Sequence, residues 1–253
     1  MTRPVLWHIE ISHYNEKVRW ALDLKGIEHE RRAPLPGVLH PIQAFRLTRQ
    51  PHFPILVWDG RAIPDSTAII AELERRVPDP PLYPADPVER ARALELEDSF
   101  DEEVAPYARR LAFVEISRDP AAAAETMGIV GMPGARIGVG RALAPHIAAL
   151  AARRYGGTAA SVDEAHAKVR AGAERLEAEI GPSGYLVGDA FGVADLTAAS
   201  IFAPLVQPPE FQYVLPEQPP ALREFVASLP AAGMDWVRAM WSGHRPQSLQ
   251  FVK

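Results

Sequence analysis

The chain has 253 residues, enough for one large domain or two modest ones, and its 47% hydrophobic and 23% charged residues are those of an ordinary globular protein. A net charge of −5 leaves no basic surplus to neutralise phosphates, which argues against a nucleic-acid partner. With no cysteine, the chain has no disulfide, no thiolate metal site and no protein-thiol redox chemistry.

The start, MTRPVLWHIE, lacks a continuous apolar stretch. No apolar run reaches the ~18 residues of a membrane span, so a cytoplasmic location without membrane contact is expected. Val5, Trp7 and Ile9 alternate with Leu6, His8 and Glu10, the period of a strand. Tyr14, Val18, Ala21 and Leu22 then recur at the spacing of one helix face, and Gly26 stands where a left-handed C-terminal cap is wanted. Between these elements Ile11-Ser12-His13-Tyr14 brings hydroxyls and an imidazole to a helix N-terminus. Unpaired N–H groups and the positive dipole end there favour an anion such as a thiolate or phosphate.

Further on, residues 27–32 read as a short strand and 41–48 as a short helix. His52–Trp58 reads as an apolar strand, and Asp59-Gly60 as a two-residue hairpin turn into Arg61-Ala62-Ile63. Asp65-Ser66 opens a helix to about Arg76 with Ile69, Ile70 and Leu73 on its buried face. The proline-rich stretch 78–84 reads as a linker. It places a small α/β domain at 1–78, a linker at 79–86 and an all-α domain at 87–253. Predicted helices there cover 87–104 or further, 120–155 (interrupted at Pro133 and bent near Pro145), 162–180, 193–205, 221–229 and 234–241. Gly192 to Asp195 read as N-cap to N3, with Asp195 accepting the Gly192 N–H and Phe191 and Leu196 forming a hydrophobic staple. Gly128, Gly131, Gly134, Gly138 and Gly140 follow no strand and precede no lysine, so they fit close helix packing or a bend, not a phosphate loop. The eight histidines show no H-E-x-x-H spacing, and no metal is expected.

Three motifs in order, SHYNEKVRWALDLKGI, HFPILVWDG with DSTAII, and YLVGDAFGVADLTAAS, make the chain resemble the glutathione transferases across nearly its whole length. The resemblance implies a thioredoxin-like N-terminal domain followed by an all-helical C-terminal domain, glutathione as co-substrate, a small-molecule electrophile and a homodimer. Ser12 matches the activating serine of serine-type members; as serine, it would stabilise a bound thiolate and form no mixed disulfide. A free thiol titrates near ~8.5. One hydroxyl donor worth roughly 1.5–3 kcal/mol lowers that by about one to two units, and the helix end adds up to about 1 kcal/mol. His8 stands where tyrosine-type members carry their tyrosine, which removes that mechanism and leaves His8 a structural strand residue. Tyr14 is the second candidate thiol donor, packed under the helix, and His13 is a solvated loop residue or faces the second substrate. Asn15 stands where redox relatives carry a second cysteine.

The resemblance further implies a cis Phe53-Pro54 bond that aims the Phe53 backbone at the cysteinyl unit. Asp65 and Ser66 would hold the γ-glutamyl ammonium and carboxylate. The family's lysine for the glycyl carboxylate is absent, with Arg49, Gln50 and His52 as candidates to replace it. Tyr107, Arg110 and Phe113, under the glycine-containing segment, would line the electrophile site with His13 and Tyr14. Addition, thiol-assisted isomerisation and C–O or C–Cl cleavage share this thiolate; a catalytically silent binding or scaffold protein is the rival reading. The Ala/Arg/Pro-rich composition is similar to actinobacterial relatives, many of whose organisms use a different low-molecular-weight thiol.

Overall fold

A βαβ unit opens the chain. The computed structural model describes residues 2–34, 39–129, 138–154 and 159–250. Strand β1 (Val5–Trp7) leads through helix α1 (His13–Leu24) to strand β2 (Glu30–Arg32), which lies parallel to β1. Gly26, at φ 66°, closes α1 as expected. The Ile27 N–H reaches back to the Leu22 carbonyl (2.9 Å) and the Gly26 N–H to that of Asp23 (3.1 Å), the paired bonds of a Schellman cap. Because Ile27 is used there, β2 starts at Glu30 and not at residue 27.

Helix α2 (Leu39–Thr48) precedes an antiparallel hairpin, β3 (Ile55–Trp58) and β4 (Arg61–Pro64). Asp59 and Gly60 both adopt positive φ, 50° and 78°, as a type I′ turn requires. Residues 52–54 of the expected strand approach the sheet without joining it; the Phe53-Pro54 peptide is cis, as anticipated, and Pro54 has no N–H to give a ladder. The sheet order is β2-β1-β3-β4, and α3 (Ser66–Arg76) follows: the thioredoxin-like arrangement.

The remainder is helical: α4 (Pro87–Ser99), a π-helical turn (Phe100–Val104), α5 (Ala105–Arg118), α6 (Pro120–Ile129), α7 (Gly138–Arg154), α8 (Ala159–Glu179), α9 (Val193–Val206), α10 (Pro220–Ala227) and α11 (Ala231–His244). The helix expected over 120–155 is thus two described helices, with Pro145 inside the second. Its predicted break at Pro133 and end at Tyr155 lie outside the described residues, as do Gly131 and Gly134. Gly128 sits in α6, and Gly138 and Gly140 in α7.

Helix α9 is buried along nearly its whole length, which its apolar sequence demands. Its Asp195 carboxylate accepts the Gly192 N–H (2.8 Å), as predicted, and also the Leu186 N–H (2.9 Å). Phe191 stacks between Trp20 (5.5 Å) and His244 (4.6 Å). One apolar core runs from the sheet through α1 to α9 and α11, with Trp20 and Trp241 in ring contact at 4.7 Å. No helix among the described residues is long and apolar enough to cross a membrane.

The spacing of Tyr14, Val18, Ala21 and Leu22 suggested a helix with one buried face. In the structure α1 is enclosed on its charged sides too. Lys17, fully buried, meets Glu97 (2.7 Å) and Asp101 (2.6 Å) of the helical half. Glu16, Arg19 and Asp23 are buried on another side.

Candidate active site

A cavity of about 1240 Å³ opens between the two halves. From the α/β half it is lined by Ser12, His13 and Tyr14 at the start of α1, by Gln50, His52, Phe53 and Pro54 before β3, and by Asp65, Ser66 and Thr67 at the start of α3. Residues scattered over more than fifty positions meet here because β1 and β3 are neighbours, so the two segments at their ends come together.

Ser12 is the N-cap of α1 by position, yet its side chain accepts no helix N–H. Asn15 explains this. Its Oδ1 accepts the Ile9 N–H (3.1 Å), which fixes the amide's orientation and aims Nδ2 at Ser12 Oγ (2.7 Å). Ser12 therefore acts as an acceptor towards the protein, and its own hydrogen is left to donate into the cavity. It does so at the positive end of α1.

Tyr14 is differently placed. Its hydroxyl donates to the Asp101 carbonyl (2.8 Å). In the π-helical turn the Ala105 N–H bonds the Phe100 carbonyl, and the next residue that would serve Asp101 is Pro106, which has no N–H. Tyr14 supplies the missing donor. Burial, then Asp101 nearby, raises its pKa, and its proton is engaged with the Asp101 carbonyl.

His13 is not the solvated loop residue suggested by its neighbours. It is the first residue of α1, 4% exposed, with its ring 4.4 Å from that of Tyr14. Burial, then the positive charge of Arg109, lowers its pKa to about 3, which keeps it neutral. His8 is a buried strand residue whose Nδ1 accepts from Arg19 (2.8 Å). Burial followed by Arg19 lowers its pKa to about 2.

Asp65 adopts φ 71°, ψ 136°, a conformation that costs an aspartate on the order of 1–3 kcal/mol. Its side chain caps α3 by accepting the Ala68 N–H (3.1 Å), and Ser66 is buried beside it. Both residues line the cavity, with the N-terminus of α3 opening onto it.

The helical half contributes Asp98, Asp101, Glu102, Arg109 and Phe113 from α4, the π-helical turn and α5, with Ile147, Leu150 and Arg153 from α7. Of the three residues expected here from α5, Phe113 lines the cavity; Tyr107 and Arg110 do not. They lie one step round the helix and face α8, where Arg110 pairs with Glu164 (2.8 Å) and stacks on Tyr107 (4.9 Å). Arg109, four residues before Phe113 and so on its face, was missed, although the helical period carried the signal. Asp101 and Thr67 were also missed: both touch the buried Lys17, a pairing between distant segments that no local pattern announces.

Two family models match the chain: the N-terminal domain of glutathione S-transferase over residues 6–81 and its C-terminal domain over residues 159–228. A probable maleylacetoacetate isomerase of Caenorhabditis elegans is 36% identical over 92 residues, 36% of this chain and 43% of that protein. A glutathione S-transferase of Triticum aestivum is 33% identical over 90 residues, 33% of this chain and 38% of that protein. The chain thus matches less than half the length of these two relatives. Among solved structures, a beta-etherase from Sphingobium sp. strain SYK-6 superposes with a TM-score of 0.63 at 23% identity, covering 94% of this chain and all of the other. A Methylobacterium radiotolerans glutathione S-transferase in complex with glutathione sulfonate gives 0.58 at 20% identity, covering all of this chain and 98% of the other. At these identities the superpositions speak for the fold.

Proposed function

The chain belongs to the glutathione S-transferase family, and from that premise we propose that it binds glutathione and ionises its thiol at Ser12 for attack on a small electrophile. The observation that carries this reading is the Asn15–Ser12–cavity arrangement, a hydroxyl held as acceptor on one side and free to donate on the other. Ser12 stabilises the thiolate, with the α1 dipole in support. The Phe53 backbone before cis Pro54 faces the cysteinyl unit. Ser66 and the α3 N-terminus take the γ-glutamyl carboxylate, Asp65 the ammonium, and Gln50 with His52 the glycyl end. The electrophile occupies the part of the cavity walled by Phe113, Ile147 and Leu150, under His13 and Tyr14. The domain limits 1–78 and 87–253, homodimer assembly and a cytoplasmic setting belong to the same proposal.

A second reading within the class is thiol-assisted isomerisation, favoured by the naming of the Caenorhabditis elegans relative. It uses the same thiolate and differs in that the thiol is regenerated. Titration with glutathione, followed by the absorbance of bound thiolate in the parent and in Ser12→Ala, tests the proposal. The expected result is binding with a thiol midpoint near neutrality that rises by about one to two units in the variant. No binding at millimolar glutathione refutes the choice of thiol; binding without a lowered midpoint favours a scaffold.

A further inference from the structure

The first-half loop that carries Ser12 is tied, through buried charge, to the far end of the chain. The segment after α11 runs back across α1. The His244 carbonyl accepts the Trp20 indole N–H (3.0 Å), the Leu249 N–H reaches Asp23 (2.9 Å), and Gln250 forms a parallel bridge with His29. Within it, Arg245 Nε donates to Glu16 Oε1 (2.8 Å). The other oxygen of Glu16 accepts from Arg19 Nε (2.7 Å). Arg19 in turn donates to the carbonyls of Ile9 (3.3 Å) and Glu10 (2.8 Å) and to His8 Nδ1 (2.8 Å). Glu16 and Arg19 are fully buried, and the Arg245 side chain is 1% exposed.

We propose that Arg245 is a positioning residue for Ser12, acting through the relay Arg245–Glu16–Arg19 on the backbone of residues 9 and 10. The relay ends where the Ser12 geometry begins. The Ile9 carbonyl held by Arg19 also accepts the Ser12 N–H (3.2 Å), and the Ile9 N–H is the group that orients Asn15. Both carboxylate oxygens of Glu16 are engaged, so the Arg19 fork has one preferred position and the loop one preferred height above α1. The relay delivers two of the Arg19 donors to loop carbonyls beside the donor hydroxyl. The significance for catalysis rests on the thiolate reading above, whereas the mechanical coupling does not.

The test uses the full chain with Arg245→Gln and Arg245→Lys. The glutamine variant removes the surplus of three arginines (Arg19, Arg31, Arg245) over two acids (Glu16, Asp23), so it leaves two charges of each sign in the cluster. Amide hydrogen exchange without ligand is the first measurement. Exchange at Ile9 and Ser12 rises about tenfold in Arg245→Gln, α9 amides are unchanged, and lysine restores most of the protection. Unchanged exchange at Ile9 and Ser12, or an equal rise in α9 that marks general destabilisation, overturns the proposal. The second measurement is the midpoint of bound glutathione thiolate, which moves up by about half a unit or more in Arg245→Gln and returns in Arg245→Lys. An unmoved midpoint in a variant whose loop amides have loosened overturns the link to the chemistry. If the parent binds no glutathione while Arg245→Gln still loosens residues 9 and 12, the thiol reading fails and the relay is supported.

Discussion

Changing Asn15 to aspartate exchanges a single group, and the structure gives a sharp expectation for it. The Ile9 N–H can pair only with an oxygen, so the residue's Oδ1 stays where it is, 3.1 Å from that nitrogen. The group facing Ser12 Oγ at 2.7 Å turns from a donor into an acceptor. The Ser12 hydroxyl then donates to it and is lost to the thiolate. A hydrogen bond to an ion is worth roughly 1.5–3 kcal/mol, so the midpoint of the bound thiol rises by about one to two units at 1.36 kcal/mol per unit. The new carboxylate, buried where Asn15 has no exposure, pushes in the same direction by charge. A thiol poised near pH 7 becomes one that is only a few per cent ionised there. Titrating glutathione absorbance on the Asn15→Asp protein reads this directly, and adding Ser12→Ala to it produces little further shift because the two changes remove the same bond. A midpoint equal to that of the parent refutes the reasoning, since the Ser12 hydrogen would then not be the group that stabilises the thiolate.

Two further predictions concern the scaffold. At Gly172 of α8 an added Cβ meets Val104 Cγ2 at 2.5 Å and Cγ1 at 3.1 Å, in the π-helical turn. Gly172→Ala is therefore expected to cost about 1–3 kcal/mol and to lower Tm, with Val104→Ala in the same chain recovering part of the loss; an unchanged Tm contradicts the packing. For Asp195, burial outweighs its backbone donors, Leu186, Gly192 and its own N–H, and raises the pKa from 3.8 to about 6. A carboxyl raised on folding contributes stability below its unfolded pKa, and that contribution is lost as pH rises through the folded one. Urea unfolding between pH 4 and pH 6 should show the parent losing roughly 2 kcal/mol of stability relative to Asp195→Asn. Parallel curves would mean that the carboxylate is ionised throughout.

Much of this protein is written in short-range pattern. The βαβ start, the Asp59-Gly60 hairpin, the Asp65 and Gly192 helix starts and the apolar α9 all follow from periodicity, capping and turn chemistry, which act over a few residues. Ser12, Pro54 and Ser66 could be named from motifs because each sits at the end of an element whose type the local sequence determines. Tertiary structure decided the rest. Whether Tyr14 or Ser12 offers a free proton depends on Pro106, ninety-two positions away, which leaves the Asp101 carbonyl to claim the tyrosine. The choice of Arg109 over Arg110 is a matter of helix phase against a partner, fixed only once α5 lies between the cavity and α8. Charge was the least legible property. Lys17, Glu16 and Asp23 look like the solvent side of an amphipathic helix, and they are buried against opposite charges brought by Glu97 and Asp101 to Lys17 and by Arg245 to Glu16 and Asp23, each more than seventy residues away, while Arg19 is buried against Glu16 of the same helix. A hydrophobic side chain declares its burial by itself, whereas a charged one is buried only with its partner, and the partner is chosen by the fold.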